Sequence, residues 1–302
     1  MNNLAPIAIF TYNRLDYLKI LINSLKKNTL SRKSIIFIFS DGWKSNHDKE
    51  DVLKVRKYIS KISGFKKISI VLRSNNFGLS KNIIDGINFI LKSNKKIIVL
   101  EDDLKLSKYF IKYINDALKI YSNEKKAASI HGWSFPINFK KGTNDYFFIR
   151  GADCWGWGTW RRAWKKFNPD GKDLLKKIKQ ENLIHLFNFN SSFNYLKMLE
   201  NQINKKNNSW AIRWYASAFL ENMYTLYPRV SLVQNIGTNN GTHSNFDNLN
   251  FGKSIIKAKY KTVLKKNIEE DEFAKMQIVD FFKNSYLFKI KYFLKNLMKI
   301  NV

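Results

Sequence analysis

Four short runs rich in β-branched residues, Pro6 to Thr11, Ser34 to Ser40, Ile68 to Arg73 and Ile97 to Glu101, alternate with three segments whose apolar residues recur at helical spacing. Those are Leu15, Leu18, Leu21, Ile22 and Leu25, then Val52, Val55 and Ile59, then Ile83, Ile87, Ile90 and Leu91. A β-α-β-α-β-α-β series of this kind predicts an α/β fold with a mostly parallel central sheet flanked by helices. Open sheets of that class bind ligands beyond the carboxyl ends of their strands. Four polar clusters fall there: Thr11-Tyr12-Asn13-Arg14, Asp41-Gly42, Arg73-Ser74-Asn75-Asn76 and Glu101-Asp102-Asp103.

A chain of 302 residues with 44% hydrophobic and 15% aromatic content has the material for a full core and is not a disordered chain. Its longest apolar runs, such as Ile35-Ile36-Phe37-Ile38-Phe39, are too short to cross a bilayer, and Met1 to Ala5 lacks the basic start and apolar stretch of a signal peptide. A single cysteine, Cys154, excludes an intramolecular disulfide and a cysteine-based zinc site. These features predict a cytoplasmic protein. The net charge of +29 attracts polyanions, and nucleic acid, an anionic membrane surface and a phosphorylated small molecule all satisfy it. Lysine is abundant along the whole chain, together with Asn and Ile, so part of the excess reflects general composition.

The middle third sets Trp133, Trp155, Trp157, Trp160 and Trp164 among Gly132, Gly151, Gly156 and Gly158. Rings in a glycine-rich stretch suit a sugar-binding wall, and equally a plain aromatic core. From Phe193 to Leu226 two helical patterns follow, the second capped by Ser209. In the last stretch, Phe281 to Ile300, Lys291, Lys295 and Lys299 stand four apart beside Leu287, Ile290, Phe293, Leu294, Leu297 and Met298. That is the pattern of a basic amphipathic helix, which serves either an anionic membrane or a face packed on the rest of the fold with its lysines in water.

The run Ile97-Ile98-Val99-Leu100 leads straight into three consecutive acids. Repulsion and desolvation make that arrangement costly unless a cation neutralises it. Mg²⁺ or Mn²⁺ bridging to a nucleotide diphosphate resolves the cost; the competing reading is an acidic turn capping a helix that starts near Ser107. In Asn75-Asn76-Phe77-Gly78-Leu79-Ser80-Lys81-Asn82 a glycine turn opens a helix with Lys81 in its first turn, a geometry that meets phosphate through amides and ammonium together. Asp41-Gly42 is read either as an acceptor for a base or ribose or as an ordinary turn.

In order along residues 5–250, these motifs resemble the A-type (Rossmann-like) glycosyltransferases, most closely the inverting N-acetylglucosaminyltransferase I type and family 2-like bacterial sugar transferases. The matching elements are Phe10-Thr11-Tyr12-Asn13-Arg14, Ser40-Asp41-Gly42, Asn76-Phe77-Gly78-Leu79-Ser80, Val99-Leu100-Glu101-Asp102-Asp103-Leu104, Gly151-Ala152-Asp153-Cys154-Trp155-Gly156-Trp157, Asn208-Ser209-Trp210 and Gly241-Thr242-His243-Ser244. The resemblance implies a nucleotide-sugar-binding catalytic domain over 1–250, with a donor half 1–105 and an acceptor half 106–250, followed by a basic helical segment 251–302. It implies that Arg14 and Asp41, with Thr11 and Lys81 nearby, hold the nucleotide. Asp103 would ligate Mn²⁺ or Mg²⁺, Glu101 and Asp102 would face ribose and donor sugar, and the Gly156-Trp157 loop would close over that sugar. His243 would contact phosphate or metal.

In the inverting relatives an aspartate before the Trp is the general base; here the position is Asn208, whose amide cannot accept a proton at neutral pH. The alignment is then off, or Asp153 or Glu221 takes the role, or turnover is slow or absent; the second reading ranks first. The resemblance thus implies a nucleoside-diphosphate sugar as donor, UDP-sugar favoured, and a glycan or lipid-linked glycan as acceptor. Nucleic acid is not expected as a partner, because the acidic triplet at the ligand end of the sheet would repel it.

Overall fold

The computed structural model describes residues 4–237, 260 and 262–285. Strands β1 (Ile7–Thr11), β2 (Ile35–Ser40), β3 (Lys67–Leu72) and β4 (Lys96–Glu101) alternate with helices α1 (Leu15–Lys26), α2 (Asn46–Ile59) and α3 (Gly78–Ser93). The helices form because each carries one apolar stripe against the sheet: Leu18, Leu21, Ile22 and Leu25 of α1, Val52, Val55 and Ile59 of α2, and Ile83, Ile87, Ile90 and Leu91 of α3 are all buried. Each such side chain contributes about 1.5–3 kcal/mol on burial.

After β4 comes a three-residue strand, β5 (Leu104–Leu106), and only then α4 (Phe110–Ile120). The acidic triplet therefore does not cap a helix. The chain continues through β6 (Ala127–His131), β7 (Tyr146–Arg150), β8 (Trp157–Trp160), α5 (Arg161–Trp164), α6 (Gly171–Gln180), α7 (Ile184–Phe187), α8 (Tyr195–Ile203), α9 (Trp210–Leu220), β9 (Tyr224–Pro228) and β10 (Val233–Asn235). The main sheet runs β3-β2-β1-β4-β8-β6-β9-β7, and β5 pairs with β10 in a separate two-stranded ribbon.

The chain builds outward from β1 to β2 and β3, then returns to place β4 on the other side of β1, all in parallel register. That reversal of strand order opens a crevice at the carboxyl ends of β1 and β4. Beyond β4 the sheet changes character: β8 is antiparallel to both β4 and β6, β9 is parallel to β6, and β7 closes the edge antiparallel to β9.

Helical residues 272–285 bury Ala274, Ile278, Val279 and Phe282 in the main core, with Phe282 edge-on to Phe135 and Phe189. The rest of the expected basic helix, from residue 286, lies outside the described residues, as does His243. Among the described residues no helix is long and apolar enough to cross a membrane.

Candidate active site

At the switch point the polar residues of four segments converge. Asp102, at the mouth of β4 and buried, accepts hydrogen bonds from the Thr11 hydroxyl (3.0 Å) and the Tyr12 amide (3.4 Å). Its other oxygen pairs with the Arg14 guanidinium, which also reaches Asp103 at 3.1 Å. Burial works against the Arg14 charge, but Asp102 and Asp103 outweigh it and hold the guanidinium above its ordinary value. Burial, reinforced by Asp103, pushes the Glu101 carboxyl up to about 8; burial raises Asp102 to about 6 against the pull of Arg14.

The cation that neutralises Asp102 and Asp103 within the chain is Arg14. The oxygens of Asp102 are engaged by Thr11, Tyr12 and Arg14, and Asp102 braces the β1 and β4 ends together. The sequence could not reveal this, because Arg14 and Asp102 are 88 residues apart.

Asp41 is buried at the end of β2 and its Oδ1 accepts from the amides of Gly42 (2.9 Å) and Phe77 (2.8 Å). The Asn76 amide donates to the Gly42 carbonyl at 2.7 Å, which locks the two turns together. Gly42 is needed here, since a Cβ on it would stand 2.4 Å from the Asn75 carbonyl carbon. Asp41 thus fixes the turn that opens α3. Lys81 lies exposed in the first turn of that helix, its ammonium 4.5 Å from the centre of the Phe77 ring.

Asp103 keeps the more accessible carboxylate of the two aspartates. The chain returns to it through β10: the Ile236 amide donates to the Asp103 carbonyl at 2.8 Å, and a Cβ on Gly237 would stand 2.4 Å from Asp103 Oδ2. Among the described residues no three His, Cys, Asp or Glu side chains form a group that holds an ion by themselves. Mg²⁺ and Mn²⁺ commonly take one or two carboxylates and draw their other ligands from water and substrate phosphates. One accessible aspartate at a strand end fits that donor set.

A second centre lies in the other half of the sheet. A cavity of about 140 Å³ is walled by Trp133, Phe135, Trp155, Tyr195 and Tyr227, and Asp153 and Ser209 reach its lining. Asp153 accepts from the Cys154 amide (2.7 Å) and the Tyr227 hydroxyl (3.4 Å). Asn208 is exposed immediately before Ser209, whose hydroxyl caps α9 by accepting from the Ile212 amide. Asp153 and the segment of Asn208 therefore meet at one cavity.

The residue that shapes this loop, His131, was not among those singled out in the sequence. Its Nε2 accepts from the Trp155 amide at 3.0 Å and its Nδ1 donates to the Trp133 carbonyl at 3.1 Å, a pairing that requires the neutral ring; burial also pulls its pKa down. Its only sequence signal is its place at the end of a strand before Gly132. Burial and the carboxylates of Asp153, Glu101 and Asp103 push the Cys154 thiol up.

Two expected site residues lie elsewhere. Trp157 does not close over a ligand: it sits in β8, fully buried, stacked on Trp210 (5.6 Å) and tilted against Trp214 and Trp164. Glu221 follows α9 at the opposite end of the sheet, near the start of β9, and pairs with Lys166 at 2.7 Å. Helix α9, 11 residues long, separates it from Ser209, and Glu221 does not line the cavity that holds Asp153.

The solved structures similar to this chain include a mannosyltransferase from Pyrobaculum calidifontis in complex with GDP-Man and Mn²⁺, at 10% identity and a TM-score of 0.32, covering 44% of this chain and 36% of that one. TarS of S. aureus matches at 16% identity and a TM-score of 0.36 over 55% of this chain and 30% of its own. Its 1–349 fragment matches at 14% identity and 0.41 over 94% and 71%. This chain thus spans about a third of the length of the first two structures. No curated protein matches it. The family model for glycosyl transferase family 2 matches residues 7–195, which contain the four strand ends, the acidic triplet and Asp153, and by that match the chain belongs to glycosyl transferase family 2.

Proposed function

We propose that the chain transfers a hexosyl or N-acetylhexosaminyl group from a nucleoside-diphosphate sugar, UDP-sugar first, to a hydroxyl of a glycan or lipid-linked glycan, with inversion. The setting we infer is surface polysaccharide or lipopolysaccharide assembly on the cytoplasmic side of the membrane. In this reading residues 1–105 handle the donor, 106–250 the acceptor, and 251–302 are an accessory segment. The observation that carries it is the presence of two carboxylates with different surroundings: Asp103 in a cluster of strand ends, and Asp153 in the lining of an aromatic cavity.

Asp103 is the residue that would hold Mn²⁺ or Mg²⁺, with His243 a further contact from the segment that follows Gly237. The ion, when bound, offsets charge on the departing diphosphate. The Asp41-braced turn holds the α3 amides and Lys81 toward a phosphate or ribose, and Thr11, Arg14, Glu101 and Asp102 keep the strand ends in register. Asp153 takes the proton from the acceptor hydroxyl while Trp133, Trp155 and Tyr227 exclude water and orient the sugar. Asn208 then serves as a hydrogen-bonding neighbour and not as a base.

Calorimetric titration of UDP with and without Mn²⁺, on the wild-type chain and on Asp103→Ala, tests the donor site. The expected result is binding that needs the metal and falls at least about tenfold in the variant, the scale of one charge-assisted contact. Binding that ignores both metal and Asp103 would remove the metal from the reading.

A further inference from the structure

At the end of the sheet opposite the candidate active site, adjacent basic pairs stand at the start of one strand after another. Arg32-Lys33 precede β2, Lys66-Lys67 open β3, Lys95-Lys96 open β4 and Lys125-Lys126 precede β6. Backbone bonds draw these segments together: Lys66 donates to Ser34, and Arg161 donates to Lys95. In the strand order β3-β2-β1-β4-β8-β6, at about 4.8 Å per strand, the pairs extend over roughly 25 Å.

Helix ends widen the row on both faces of the sheet, with Lys57 in the last turn of α2 and Lys92 in the last turn of α3. Favourable interaction with the helix dipole accounts for lysines at helix ends. It does not account for pairs at strand starts, which carry no comparable dipole. All of the pair residues are exposed except Lys96, which is half-buried. None of them forms an ion pair among the described residues; the nearby acids Glu124 and Glu221 are taken by Lys265 and Lys166. The Lys96 ammonium is held below its ordinary value by burial and by repulsion from Lys119, so charges crowd here without internal compensation.

We propose that this rim is a docking face for an anionic phospholipid surface, which it meets with the active site turned away from the bilayer. The charge is spread over a field as wide as the helix-sheet-helix sandwich, which matches a plane of headgroups better than a single phosphate strand. The four strand-start segments also lack an exposed aromatic ring on which a base would stack. The assignment does not depend on the reaction proposed above, because lipid binding is read without donor, metal or acceptor.

The test is co-sedimentation of the full chain with phosphatidylcholine vesicles, with and without phosphatidylglycerol, at low salt. Two variants are compared: one carrying Lys66→Gln, Lys67→Gln, Lys125→Gln and Lys126→Gln, and a control carrying Lys172→Gln, Lys197→Gln, Lys205→Gln and Lys206→Gln, which removes the same charge from the α6–α8 layer. The wild-type chain and the control should bind the anionic vesicles only. The rim variant should lose on the order of several hundredfold, at roughly fivefold per lysine. Binding that survives the rim substitutions, or falls equally in the control, overturns the proposal. So does a wild-type chain that ignores the vesicles and takes up duplex DNA through the same rim.

Discussion

The two halves of the sheet hold their carboxylates in opposite ways. Around β1 and β4, Asp102 is saturated by Thr11, Tyr12 and Arg14, and its oxygens have become structure. In the aromatic cavity, Asp153 accepts from the Cys154 amide and, at longer range, from the Tyr227 hydroxyl, and it lines open volume. A carboxylate fully engaged by the protein positions other groups, whereas one with spare lone pairs beside a cavity remains able to accept a proton. That difference, more than proximity to the acidic triplet, is the ground on which we propose the base at Asp153.

The comparison breaks most sharply at Asp153. In Asp153→Asn, sugar transfer should fall about 10²–10⁴-fold with an unchanged melting temperature, because general-base catalysis contributes on that scale. Asn208→Asp should gain nothing. A variant pair with the reverse behaviour would move the base to residue 208.

On the other side, Arg14→Met leaves Asp102 and Asp103 without their internal cation and should cost about 2–3 kcal/mol in denaturant unfolding, at the lower edge for a broken buried pair because Arg14 is partly exposed. An unaltered midpoint would show that the pair is not structural.

A smaller effect follows from pH. The folded-state Glu101 and Asp102 carboxyls sit above their ordinary values, at about 8 and about 6, so the folded chain holds protons that the unfolded chain has released. Stability is therefore highest at acidic pH and declines as pH rises from the ordinary carboxylate range through about 8. Glu101→Gln should flatten the upper part of that decline, measured as melting temperature against pH; a slope unchanged by the substitution would contradict the burial of this charge.

The smallest effect is expected for Glu221→Gln, within about 0.5 kcal/mol and without change in turnover, because its pair with Lys166 is solvent-exposed.

The parallel half was legible because its strands are buried apolar runs and its helices carry one clean stripe each; observed boundaries stand within a residue of those expected for β1 to β4. The step after Asp103 was not. Leu104–Leu106 pairs with Val233–Asn235, and a three-residue strand with a partner so distant in the chain leaves no local pattern. Trp157 and Trp155 show the same boundary: two tryptophans two residues apart, one stacked in the core and one lining a cavity, with nothing in composition to tell them apart.

The sequence by itself determined the fold class, the strand ends and the presence of an acidic triplet beside them, since apolar periodicity and strand-end polarity are local properties. Only the tertiary structure decided which charges are neutralised, which tryptophans are wall or core, and that Asp153 and not Glu221 stands at the cavity. Those outcomes depend on contacts between residues dozens of positions apart, and burial, which sets the energy of every charge involved, exists only once the chain has closed on itself.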